Sequence, residues 1–88
     1  MNELNFIEKL ESLGFKKKSE KSLDYAKVID GMLIMVQQID ENRWGVIKHL
    51  HIEHISERVF YNGFKNFAEI IDIVRELEST YLRLKEME

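Results

Sequence analysis

Residues 25–51, YAKVIDGMLIMVQQIDENRWGVIKHLH, decide the fold of this chain. They are rich in Ile, Val, Met, Tyr and Trp, which suit a pleated, half-buried surface. Asp30-Gly31 interrupts them as a favoured two-residue hairpin turn, because Asp and Gly both tolerate positive φ. Asp40-Glu41-Asn42-Arg43 marks a second reversal. The stretch therefore reads as a β-meander, with predicted strands over 23–29, 32–39 and 43–51.

Pairing Ile29 with Met32 and Ile39 with Trp44 sorts the side chains into two faces, since alternate residues of a strand point to opposite sides. One face holds Ala26, Val28, Leu33, Met35, Gln37, Ile39, Trp44, Val46, Lys48 and Leu50. It is the more apolar and is expected to be the core face, packed by both helices. The other holds Tyr25, Lys27, Ile29, Met32, Ile34, Val36, Gln38, Gly45, Ile47, His49 and His51. Its apolar centre with a polar and aromatic rim is the pattern of a contact surface. Two helices split between the faces would make both faces core instead. A bulge or a three-residue second loop would swap the faces of the third strand.

The flanks read as helices. Asn2 can cap a helix from Glu3 to about Leu13, with Leu4, Ile7, Leu10 and Leu13 as its apolar stripe. Gly14 stands where a left-handed C-terminal cap belongs, and Phe15 where such caps place a hydrophobic contact. Residues 16–22, KKKSEKS, read as a solvated loop. Within 52–65, Arg58–Tyr61 can form a short fourth strand, and Asn62-Gly63 signals a turn. Asn66, with Glu69 three residues on, caps a predicted helix from Phe67 to about Lys85. Its stripe is Phe67, Ile70, Val74, Leu77, Tyr81 and Leu84, and its final turn should overhang the sheet.

Length and composition bound the class. The 88 residues are the size of one domain, 1–88, and 44% hydrophobic with 33% charged residues is a globular balance rather than a disordered one. The net charge of -3 lacks the basic excess of a general nucleic-acid binder. With no cysteine, disulfides, zinc–thiolate sites and thiol nucleophiles are excluded. The acidic, amphipathic N-terminal stretch lacks the basic start and apolar run of a signal peptide, and no apolar run is long enough to span a membrane. A cytoplasmic location is expected.

Candidate chemistry is sparse. His49 and His51 share one side of a strand, and His54 and Glu53 lie close in sequence, a spacing metals can use. No third ligand has a predictable place, so no metal or cofactor is expected. Glu69, Asp72, Glu76 and Glu78 stand among basic residues, as on any solvated helix face. The serines lack a nucleophile elbow, and the glycines form no phosphate loop. No small-molecule substrate is evident, and an enzyme is not expected.

The layout of a short helix ending in LGFKK, a meander containing NRWGVIK and a closing YNGFKNFAEIIDIVREL helix resembles small uncharacterised accessory proteins of phages and mobile elements in low-GC Gram-positive bacteria. The resemblance implies a non-enzymatic cytoplasmic protein that binds and modulates a host protein. Some small acidic proteins of that kind inhibit nucleic-acid enzymes by mimicking DNA charge, for which -3 is mild.

The expected fold is α+β, in the order α-β-β-β-(β)-α, with an antiparallel meander sheet packed against two helices. The expected function is a protein-interaction module, homodimeric or bound to a host protein, using Tyr25, Ile29, Ile34, Val36, Ile47 and His49. The alternative is a nucleic-acid-binding accessory protein using Lys16, Lys17, Lys18, Lys21 and Lys27.

Overall fold

A computed structural model describes residues 2–21, 24–41, 43–52, 55–64 and 66–87, at 52 and 55 by backbone alone. Helix α1 (Glu3–Ser12) leads into five strands: β1 (Lys16–Lys17), β2 (Tyr25–Ile29), β3 (Met32–Asp40), β4 (Arg43–Ile52) and β5 (Ile55–Tyr61). Helix α2 (Phe67–Glu86) closes the chain. The strands form one antiparallel sheet in sequence order, β1 to β5, so the fold is the α+β meander expected from the sequence. The fourth long strand is real and begins at Ile55, earlier than expected, and a two-residue strand opens the Lys16–Lys21 segment.

Local chemistry sets the helix ends. Asn2 and Asn66 each accept a hydrogen bond through Oδ1, from the Asn5 amide at 2.8 Å and the Glu69 amide at 3.0 Å. These bonds satisfy N–H groups that a first helical turn leaves without partners. At the other end of α1, Gly14 takes φ +97°. Its amide donates to the Glu11 carbonyl and that of Phe15 to the Leu10 carbonyl, both at 3.0 Å. This is a Schellman cap, closed by contact between two buried residues, Leu10 and Phe15.

The register corrects the sequence reading at one point. β3 pairs with β4 from Met32↔Leu50 to Gln38↔Trp44, and then shifts so that Asp40 meets Arg43. The extra residue is Ile39, in a bulge that moves β4 by one position against the expected Ile39–Trp44 pairing. Tyr25, Val36, Val46 and Tyr61 thereby fall on one side with Ile34, Met32 and Trp44. That side, with all of the sheet's large aromatics except Phe60, is the one the helices cover. The expected core face was therefore inverted in β2 and β3. Trp44 and Val46 are core as expected, while Ala26, Val28, Leu33 and Met35 lie on the opposite side.

Both helices cover that single face. The core joins Phe6 and Leu10 of α1, Ile70, Ile71, Val74 and Tyr81 of α2, and Tyr25, Met32, Ile34, Val36, Trp44 and Val46 of the sheet. Three rings clasp one end: Phe6 stacks on Phe67 at 4.4 Å, and Trp44 meets each of them edge-on at 5.3 and 6.0 Å. This ring cluster turns α1 from the expected stripe, burying Phe6 and leaving Leu4 exposed. Polar ties fix α2 lengthwise. The Tyr81 hydroxyl accepts from the Gly31 amide at 3.1 Å, and Lys85 pairs with Asp30 in the same turn.

Candidate interaction surface

The uncovered side of the sheet is the feature that the helices leave. Register places Lys16, Ala26, Met35, Ile47 and Phe60 in one row across all five strands. A second row, displaced by two residues, holds Val28, Leu33, His49 and Arg58. Two residues of a strand advance about 6.7 Å, and adjacent strands lie about 4.8 Å apart. The rows therefore make a continuous apolar strip with polar ends.

Exposure within the strip is uneven. Val28 is 70% exposed and Phe60 46%, large values for an aliphatic and an aromatic side chain on a small domain. Ile47, between Met35 and Phe60, is only 7% exposed, although it stands outside the helix-side core. Its neighbours on the open face shield it, so the strip has a small packed centre of its own. Gly45 belongs to this arrangement. A Cβ there would lie 2.8 Å from Phe60 Cζ and 3.2 Å from the Tyr61 carbonyl oxygen. The absent side chain is what lets the Phe60 ring lie down on the sheet. Beside the second row, Val28, Leu33, His49 and His51 border a shallow depression of about 300 Å³.

The sequence-derived contact residues divide between the two faces. Tyr25, Ile34 and Val36 are buried in the helix-side core, and Ile29 packs against it half-buried. They are not available to a partner, because the helices already occupy their face. Ile47 and His49 remain on the open face, Ile47 shielded and His49 half-buried. The residues that sequence reasoning placed in the core, Val28, Leu33 and Met35, are the open-face strip. Phe60 was missed, and the signal that could have found it is Gly45, a strand-interior glycine that marks a close approach.

The lysines separate similarly. Lys16, Lys17, Lys18 and Lys21 are exposed. Lys27 is not free: its Nζ donates to the Leu13 carbonyl at 2.6 Å and pairs with Glu78 at 3.0 Å. It points to the helix side and ties β2 to the end of α1 and to α2. Lys48, on the same side, pairs with Glu57 at 3.0 Å.

Other candidate chemistry stays dispersed. His49 and His51 lie on the same side of β4, while His54 and Glu53 fall outside the described residues. Among the described residues, no three groups of metal-binding type converge. On α2, Asp72 and Glu76 face solvent, and Glu78 is held by Lys27. The phenol of Tyr25 is pushed above its ordinary value of 10.0, first by burial and then by Glu11 and Glu3. Among the described residues, no helix is long and apolar enough to cross a membrane.

The chain matches no protein-family model, no curated protein and no solved structure. The fold and its surface are the ground for any functional reading.

Proposed function

We propose that this protein is a cytoplasmic, non-catalytic interaction module that docks another polypeptide through the open face of its sheet. The observation that carries the reading is the uncovered apolar strip of Val28, Leu33, Met35 and Phe60 around Ile47. Contiguous apolar surface is costly to leave in water and in a small soluble domain marks a contact site. The layout's resemblance to phage and mobile-element accessory proteins is consistent with modulation of a host protein. A second copy of the chain is the other polypeptide that could cover the strip.

Two variants test this reading. Val28→Asp and Phe60→Asp change exposed side chains and should leave the far-ultraviolet circular dichroism spectrum unaltered. Each is used as bait in a cell lysate and in sedimentation equilibrium beside the unaltered chain. The expected result is loss of a captured polypeptide, or of self-association, that the unaltered chain shows. A chain that retains every association despite both substitutions, or shows none to lose, overturns the reading.

The second reading is nucleic-acid binding. It keeps the exposed Lys16, Lys17, Lys18 and Lys21 but loses Lys27 to Glu78 and the Leu13 carbonyl. It predicts binding that weakens steeply with salt.

A further inference from the structure

The charges around the open face describe the partner, an inference that rests on the docking role proposed for that face. On the helix side, the strand cations Lys27 and Lys48 each have a carboxylate partner, while Lys17, exposed at the β1 edge, has none among the described residues. On the open face, Lys16 in β1 and Arg58 in β5 have none among the described residues. Among the described residues, one acidic side chain stands in register on that face, Asp40 at the strand end, and Arg43 holds it at 2.5 Å. Among the described residues, Glu3, Glu8 and Glu11 of α1 and Asp72, Glu76 and Glu86 of α2 are exposed on the helices. Of the other exposed carboxylates among them, Glu20, Asp30 and Glu41 lie in loops and turns, Asp40 is held by Arg43, and Glu57 lies on the helix side of β5. A chain of net charge -3 thus presents an apolar strip edged by Lys16 and Arg58, which have no carboxylate partner among the described residues.

The dimensions select the shape of the occupant. Four inter-strand spacings put the β1 and β5 edges about 19 Å apart. An α-helix with its side chains is about 10–12 Å wide, so one helix laid along the strands covers the central strip and leaves room for a charged side chain on each flank. Lys16 and Arg58 lie in different rows, offset by about 6.7 Å along the strands. At about 1.5 Å per residue, that offset is between four and five residues of a helix.

We propose that the open face binds an amphipathic helix of a partner protein. Its apolar stripe lies on Val28, Leu33, Met35 and Phe60, around the shielded Ile47, and carboxylates on its two flanks pair with Lys16 and Arg58. The match is one of charge complementarity across an apolar groove, in which flanking charges choose the partner and the apolar stripe holds it. A second copy docked by the same face would set these cations against their own kind. Among the described residues of this face, a nucleic acid would meet Lys16, Arg58 and the exposed Phe60 ring, too few for a strand bearing a charge at every phosphate.

The test uses two synthetic helical peptides of about 18 residues, about 27 Å long, each with a leucine stripe. One carries glutamates on both flanks and the other lysines. Each is titrated into the 15N-labelled protein, and affinity is read by fluorescence anisotropy at low and high salt. The glutamate peptide should bind at least about tenfold more tightly at low salt, with the margin shrinking as salt screens the pairs. Its amide shifts should fall along Ala26, Met35, Ile47 and Phe60. The doubly substituted Lys16→Glu, Arg58→Glu protein should reverse the preference, and Val28→Asp should weaken both peptides.

Equal affinity for the two peptides, shifts confined to the helices, or tighter binding of a single-stranded oligonucleotide overturns the proposal. So does a face-to-face dimer of the unaltered protein that Val28→Asp dissolves. Failure of both peptides, while a lysate partner still depends on Phe60, removes the acidic helix and leaves the docking face standing. Loss of all dependence on Phe60 removes both.

Discussion

At the residue scale, single atoms decide which surface is free. Gly45 is the clearest case. Phe60 occupies the space a Cβ would need, with the Tyr61 carbonyl oxygen close behind. Gly45→Ala must therefore swing the ring away or separate β4 from β5. A loss of about 1–2 kcal/mol is expected by urea denaturation, in the range of overpacked sites. Adding Phe60→Leu should restore part of it, since residues in contact do not act independently. Tyr25 gives a second prediction. Burial, aided by Glu11 and Glu3, favours its neutral phenol in the folded state. The unfolded chain therefore releases this proton first. The stabilising effect is intact below the ordinary value of 10.0 and is lost as pH rises through the higher folded value. Stability followed by chemical denaturation should fall above about pH 10, and Tyr25→Phe should flatten that slope.

At the element scale, the instructive feature is the bulge at the end of β3. The element types were legible because their signals are local: asparagine caps, a glycine at the end of α1, Asp30-Gly31 between two apolar runs. The extra residue at Ile39 has no comparable mark. The 32–39 run offers apolar residues at both parities, so either face could be core until the partner strand is registered. Trp44 decides it, because its large ring and those of Phe6 and Phe67 fit together only on the side that carries Ile34 and Val36. A one-residue slip flips every side chain of a strand. It explains why the candidate contact set mixed core residues with surface ones. The correction is testable within β3. Ile34→Glu places a charge where exposure is 0% and should unfold the domain, the uncompensated cost rivalling a total stability of about 5–15 kcal/mol. Leu33→Glu, one residue away on the open side, should leave the circular dichroism spectrum and a cooperative melt in place. If the two variants behave alike, the assignment of faces is wrong.

At the scale of the whole molecule, the protein is a two-layer sandwich with one layer bare. Both helices lie on one side of the sheet, so only the central strands are braced by core packing as well as by hydrogen bonds on both edges. β5 is paired to β4 alone, and its outer edge has no neighbour among the described strands. Local opening follows from few braces, so amide exchange should be graded across the sheet rather than uniform. The amides of Ile34, Val36 and Val46 should exchange only by global unfolding, while those of Glu57, Val59 and Tyr61, which face β4, should exchange through smaller openings. Native-state hydrogen exchange with denaturant distinguishes the two, because global openings accelerate with denaturant and local ones barely respond. The gradient bears directly on the open face. A helix laid over Met35, Ile47 and Phe60 would bridge β3, β4 and β5 and brace the edge strand from the side the fold leaves bare. Ligand that binds only the closed form slows its opening by mass action. Addition of the glutamate-flanked peptide should thus slow exchange at Val59 and Tyr61 more than at Ile34. A uniform slowing would instead mean that the peptide stabilises the domain from elsewhere, and an unchanged β5 would mean that nothing rests on that edge.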